Sequence, residues 1–278
     1  MARISTILPN GRILDGTIFD RVLGGGTFDP LALTWRDAVI AEGGTVSAGR
    51  LTLISNRLKQ TALAIPDFAT RIPDFFVFAA ENESQARVSI FNQFACSFVD
   101  APAFEVDRGF TSAAGPKYAN IGYPPVSFTQ NSGHYGWYSR TAGAGGQAAM
   151  GPVPTESFGA GLNIFVGGSE LYLRCNDDAE SDPIGVAADF VGYGLPLRSG
   201  PTARAAFRNN VSLGTYPSTP SRAVPSVEFA LGASGSWVSG NQWALWHWGA
   251  GDLTEGERTA LYEIWVTGHL ADIGATVA

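Results

Sequence analysis

The chain has 278 residues, a net charge of −7, 34 glycines and only 15% charged residues, against about 25% charged residues and about 7% glycine in a typical globular protein. Its length and 45% hydrophobic content exclude a stapled mini-protein and a disordered chain. With Lys59 and Lys117 the only lysines and no basic run, the electrostatic footprint of a nucleic-acid binder is absent as well.

Residues 1–29 read as a β/turn arm. Asn10-Gly11 is a hairpin dipeptide between Ile7-Leu8 and Ile13-Leu14, Asp15-Gly16 is a second turn, and Gly24-Gly25-Gly26 is a hinge or linker. The N-terminus lacks the apolar core of a signal peptide, and no stretch approaches the roughly 20 apolar residues that span a bilayer. The expectation is a chain made in the cytoplasm and held by no membrane.

From residue 30 to 100 the period is helical. Leu31, Trp35, Ala38 and Val39 share one face up to Gly43-Gly44. A second helix is predicted from Val46 to Gln60, with Leu51, Ile54 and Leu58 inward and Arg50, Arg57 and Lys59 opposite. A third is predicted from Ser84 to Asn92.

Beyond Asp100 the period falls to two. Strands are predicted at 104–110, 117–123, 134–140, 162–166, 170–175, 204–208, 211–216, 227–231 and 236–248, separated by turns in the rhythm of a sandwich or jelly roll. Between Arg108 and Glu170 the only charges are Lys117, Arg140 and Glu156, among nine aromatic residues. So long an uncharged aromatic stretch is buried against the opposite sheet or against other subunits. The chain closes with a helix at 255–271: Thr254-Glu255-Gly256-Glu257 is a capping box, and Leu261, Ile264, Trp265 and Gly268 form its inward face.

Chemistry-bearing residues are few. His134, His247 and His269 are the only histidines, and no Gly-x-Ser-x-Gly elbow or His-Glu-x-x-His helix occurs, so the histidines read as structural. The acidic segment 176–182, with Asp177, Asp178 and Asp182, reads either as a calcium loop of hard oxygen ligands or as a solvated turn. No cofactor is expected, calcium being the one open alternative. Cys96 and Cys175 read as buried thiols. Trp246 and Trp248 share a strand face with Trp243 pointing the other way, which suits either a sugar-stacking platform or sheet-to-sheet packing.

The order and spacing of several segments resemble a recurring protein type. They are Ala79-Ala80-Glu81-Asn82-Glu83-Ser84, Phe104-Glu105-Val106-Asp107-Arg108-Gly109-Phe110, His134-Tyr135-Gly136-Trp137-Tyr138-Ser139-Arg140 and Trp246-His247-Trp248-Gly249-Ala250-Gly251-Asp252 before the last helix. This pattern, over about 31–278, is similar to particle-surface proteins (fibres, head spikes or decoration proteins) of tailed phages, prophages and gene transfer agents. The resemblance implies a mainly β, concanavalin/laminin-G-like jelly-roll sandwich over 101–278, with a small N-terminal helical section and a C-terminal helix. It implies a non-enzymatic protein on the surface of a virion or phage-like particle released by lysis, which mediates host adsorption by binding a cell-surface polysaccharide. The implied partners are other copies of itself (a trimer or pentamer), particle structural proteins at the N-terminal section, and the host glycan, with no nucleic acid and no membrane. A polysaccharide depolymerase and a purely structural decoration protein are the alternatives. Candidate glycan-binding residues, at strand ends or turns, are Asn131, Tyr135, Trp137, Tyr138, Trp237, Asn241 and Gln242.

Overall fold

Asp29 accepts a hydrogen bond from the Leu31 N–H and Pro30 occupies the first turn, starting α1 (Pro30–Ala41). Ser47 caps α2 (Ala48–Ala64) by accepting from the Arg50 N–H. The stripe Leu51, Ile54 and Leu58 is buried as its spacing predicts, but so is Arg50, which donates to the Ala79 carbonyl and pairs with Asp107. The computed structural model behind this description covers residues 6–7, 13–14, 28–112, 117–122, 129–142, 147–152, 162–167, 170–175, 191–216, 221, 228–234, 237–238 and 240–276. The turns Asp15-Gly16 and Gly24-Gly25-Gly26 lie outside the described residues.

Two short helices, α3 (Phe68–Arg71) and α4 (Glu83–Arg87), follow. The helix expected to run to Asn92 stops at Arg87, because the next backbone is recruited to the sheet: Ile90 N–H donates to the Phe75 carbonyl and Phe75 N–H to Ser89 Oγ. At the C-terminus the capping box is present, with Thr254 and Glu257 each taking the other's N–H, and opens α5 (Glu255–Leu261). This helix continues as a π-helix over Tyr262–Leu270. Its i→i+5 bonding adds a residue to each turn, so the inward set is Leu261, Trp265, Val266, His269 and Leu270. Ile264 and Gly268, expected inward from a regular α period, are only half-buried.

The strands in chain order begin with the N-terminal hairpin of β1 (Thr6–Ile7) and β2 (Ile13–Leu14), which pair as Asn10-Gly11 predicts. Next come β3 (Asp74–Val77), β4 (Ser97–Val99), β5 (Ala103–Glu105), β6 (Gly109–Thr111) and β7 (Tyr118–Asn120). The middle of the chain supplies β8 (Gly133–Ser139), β9 (Gln147–Pro152), β10 (Leu162–Gly167), β11 (Glu170–Cys175) and β12 (Gly192–Arg198). The last are β13 (Arg204–Arg208), β14 (Val211–Tyr216), β15 (Phe229–Leu231), β16 (Ala233–Ser234), β17 (Trp237–Val238) and β18 (Gln242–Ala250). The single strand expected at 104–110 is a hairpin, β5–β6, and that expected at 236–248 is two strands, β17 and β18.

All pairings are antiparallel. An eight-stranded sheet runs β14-β13-β12-β8-β18-β6-β5 with β3 also on β18, and a six-stranded sheet runs β11-β10-β9-β15-β7-β4. The protein is thus a mainly β jelly-roll sandwich, as expected. The helical section does not stand apart from it, because β3 pairs with Leu245–Trp248 and β4 joins the six-stranded sheet. The helices form a third layer over the outer face of the eight-stranded sheet.

Two cores result. Between the sheets lie Phe76, Phe78, Phe110, Tyr135, Trp137, Phe229, Trp243, Trp246 and Trp248. Between the helices and the eight-stranded sheet lie Trp35, Leu51, Leu58, Phe75, Tyr138, Tyr193, Leu195, Leu245 and Trp265. Trp243 was expected opposite Trp246 and Trp248, yet all three face the same core. The β18–β8 register runs from Trp243↔Ser139 directly to Leu245↔Tyr138, so Ala244 is the extra residue of a β-bulge and the side-chain alternation restarts after it.

Candidate functional site

The sandwich has two ends, and the seven candidate glycan-binding residues are divided between them and the core. Tyr135 and Trp137 stack on one another in the inter-sheet core at 5.8 Å between ring centroids, and Tyr138 is buried under the helices. These three are corrected to packing residues: β8 is covered on both faces, by the second sheet and by the helical layer, so its aromatic side chains meet no solvent.

Asn241 and Gln242 sit where β8 ends and β18 begins. Asn241 Nδ2 donates to Ser139 Oγ and the Thr141 carbonyl, both at 2.8 Å. Gln242 Oε1 accepts from Arg140 at 2.5 Å, while its Nε2 donates to Glu105 at 3.0 Å. Arg140 also donates to the Ala275 carbonyl at 2.6 Å, and burial lowers its pKa. These amides are buried and committed to tying the last residues to the sheet, so they too are structural. Trp237 pairs through its backbone with Ser234.

Of the candidates whose burial is described, Asn131 alone is exposed on a turn, at the other end of β8, and seven residues at roughly 3.3 Å each put the two groups about 20 Å apart. Thr129 and Ser132 exchange backbone bonds of 3.2 and 3.3 Å, closing a turn with Gln130 and Asn131 at its tip. Ser221 Oγ donates to Asn131 Oδ1 at 2.5 Å and accepts from Gln130 Nε2 at 3.4 Å, while its N–H donates to the Pro201 carbonyl at 2.8 Å. Asn131 Nδ2 is left as a donor with no hydrogen-bond partner among the described residues.

The patch rests on a firm base. Arg198, buried at the end of β12, donates to the Cys175 carbonyl at 2.6 Å and to the Gly200 carbonyl at 3.2 Å. It thereby ties the 199–203 turn to the end of β11. On the six-stranded sheet, Asn120 Nδ2 bonds Glu228 at 2.9 Å at the same end. The arrangement offers exposed amides and hydroxyls on a rigid rim, suited to an uncharged, hydroxyl-rich ligand. Gln130 and Ser221 are members that sequence reasoning missed. The polar run Thr129-Gln130-Asn131-Ser132 ahead of Gly133 was the available signal for Gln130, whereas nothing local marks Ser221.

The calcium candidates Asp177, Asp178 and Asp182 lie outside the described residues, among which no group of three or more His, Cys, Asp or Glu could hold a metal ion. No described helix is long and apolar enough to cross a membrane. Both cysteines are buried thiols. The histidines are buried as well: His134 Nδ1 lies 2.9 Å from the Gly251 carbonyl and His247 Nε2 lies 2.7 Å from the Tyr193 hydroxyl.

No family model matches the chain, and no curated protein matches it. Solved structures do. A Trypanosoma rangeli sialidase in complex with 2,3-difluorosialic acid matches with a TM-score of 0.50 at 10% identity, over 83% of this chain and 41% of the sialidase. A botulinum neurotoxin type C structure, described by its interaction with two ganglioside molecules, matches at 0.48 and 10% identity over 69% of this chain and 51% of the other. Domain 4 of an extracellular arabinanase from Geobacillus stearothermophilus, in complex with arabinotriose, matches at 0.38 and 13% identity over 69% of this chain and 98% of the domain. The chain spans about two fifths of the sialidase it matches. At these identities the likeness is one of fold, the β-sandwich.

Proposed function

We propose that this chain is a surface protein of a phage or phage-like particle that adsorbs to a host by binding a cell-surface polysaccharide, without catalysis. The observation that carries the reading is the uncharged patch on the rim of the sandwich, exposed Gln130 and Asn131 bonded to half-buried Ser221. Both faces of its central strands β8, β12 and β18 are covered, which leaves the rim as their route to a ligand. A sandwich of the same fold occurs in a sialidase solved with a sialic acid derivative, which supports a sugar as the ligand class. Burial of all three histidines supports binding rather than acid–base chemistry. Many copies on one particle would turn modest single-site affinity into stable adsorption.

The test is adsorption of the purified protein to capsulated and acapsular cells across ionic strength. Recognition through amides and hydroxyls predicts salt-independent binding, preference for the capsulated cells, and at least a tenfold loss in Gln130→Ala/Asn131→Ala with unchanged melting. Equal binding to both cell types, or full binding by that folded variant, overturns the reading. Sedimentation of the full chain should give an oligomer, and a stable monomer would count against assembly on a particle.

A second reading, a structural decoration protein without ligand, draws on one observation. Phe110, Tyr118, Tyr135, Trp137 and Tyr138 of the uncharged aromatic stretch are all buried within the chain, so those aromatics serve the fold.

A further inference from the structure

The three histidines, which the binding reading leaves unused, lie along one internal seam. His134 on β8 and His247 on β18 have ring centroids 5.7 Å apart on the helix-facing side of the eight-stranded sheet, and His247 stacks on Phe75 at 5.3 Å. His269 lies in the π-helix against Trp265, with centroids at 5.5 Å. Side-chain volume is withheld on purpose at this seam: a Cβ on Gly136 would meet the His247 ring at 2.3 Å, and one on Gly249 would meet the Arg71 carbonyl at 2.0 Å and the His134 ring at 2.7 Å. Among the described residues His134 Nε2, His247 Nδ1 and both nitrogens of His269 are buried without a hydrogen-bond partner. The inter-sheet core contains none of the three.

We propose that this seam is an acid latch: in mild acid, proton uptake by these histidines releases the helical layer, residues 28–72 and 253–276, from the eight-stranded sheet while the two sheets stay packed on each other. An imidazolium at each position would be a buried charge with at least one unpaired donor. Burial accordingly lowers the His134 pKa from 6.5 to about 4, and holds His247 and His269 well below the ordinary value. For a base whose folded value is lowered, the stabilisation is complete above the unfolded value near 6.5 and is lost as pH falls toward about 4.

The charged neighbours act in both directions. Arg71 opposes protonation of His134, whereas Glu257 and Asp252 favour it. His247 faces His134 and the Tyr193 hydroxyl, itself faced by Arg258. His269 faces Arg50 and Arg57, each paired to a carboxylate, Asp107 and Asp272. Glu263 on the π-helix, its pKa raised by burial, works against release. Opening would uncover Tyr138, Tyr193, Leu195, Leu197, Phe207 and Leu245, an apolar sheet face.

Hydrogen exchange on the full chain, corrected for intrinsic rates, tests this at pH 7.5 and 4.8. Amides of α1, α2 and α5 should lose protection at least tenfold at pH 4.8 while β8, β15 and β18 keep theirs, with a rise in binding of an apolar-surface dye. Unchanged protection everywhere, or equal loss in both layers, overturns the proposal. In His134→Gln/His247→Gln, whose amides can still meet the Gly251 carbonyl and Tyr193, release should move down by at least one pH unit, and an unmoved midpoint overturns it. Should that variant fail to fold, imidazole titration by NMR in the unmodified chain decides. Titration that coincides with helix release supports the latch, and ordinary titration near 6.5 without release overturns it.

Discussion

Gly194 on β12 owes its identity to one neighbour. A Cβ there would lie 2.2 Å from the Trp137 ring, and that ring has no free direction, being wedged between two sheets. Gly256, in the first turn of α5, has nothing within 4 Å of the same construction. The two glycines therefore predict opposite outcomes for one chemical change. Gly194→Ala should lower unfolding stability by about 1–3 kcal/mol through overpacking. Gly256→Ala should raise it by about 0.5–1 kcal/mol through backbone entropy. Chemical denaturation of both variants with unchanged m-value is the check, and equal shifts would contradict the packing described here. Trp137 itself shows why residue type misleads about role: truncating a ring so enclosed removes about 3–5 kcal/mol of core packing, whatever the protein binds.

At the scale of elements, α5 is held at its first turn by more than its cap. Glu257 closes the capping box and also pairs with Arg71 of α3, which donates to the Asp252 carbonyl at 2.9 Å. Burial pushes the Glu257 carboxyl up, but hydrogen bonds from Arg71 and Thr254 outweigh it and leave its pKa lowered. A carboxylate with a lowered folded value stabilises the fold above its unfolded pKa, and that stabilisation is lost as pH falls through the folded value. Glu257→Gln should therefore flatten the fall of melting temperature between about pH 5 and pH 3, and Thr254→Ala should cost about 1 kcal/mol at neutral pH. An unaltered pH slope in the glutamine variant would show that the Arg71 pair does not anchor the helix.

Across the whole molecule, the helix–sheet–sheet layering buries the central strands on both faces. Every position of β8 and β12, and all but the last of β18, is buried, while Val211 on the edge strand β14 is 68% exposed. Hydrogen exchange at neutral pH should thus be slowest in β8, β12 and β18 and fastest, among strands of that sheet, in β14. Equal protection of edge and centre would mean that the layers do not form one cooperative unit. β14 is further set apart by the register shift opposite Ala206–Phe207, a bulge that spoils its edge for pairing with another chain.

Local signals made much of this architecture legible in the sequence. Period-two runs placed β11, β13 and β14 at their observed bounds, the Asn10-Gly11 dipeptide marked the β1–β2 hairpin, and the Thr254–Glu257 spacing marked α5, because each depends on residues a few positions apart. β12 was not legible: glycines and Pro196 argue against a central strand. It is tolerated because the β8 ladder passes over Leu195 and Pro196 and Gly194 makes room for Trp137. Of the candidates whose burial is described, only Asn131 lies on an exposed rim. Whether an aromatic or amide at a strand end faces solvent depends on what covers it, and that cover comes from distant segments: the second sheet and the helices over β8, Ser221 beside Asn131, Ala275 and Glu105 around Arg140 and Gln242. Sequence by itself determined the elements and the class of fold, because alternation, caps and turns are short-range physics. Only the tertiary structure decided which polar groups remained on the surface, because burial is a property of long-range packing.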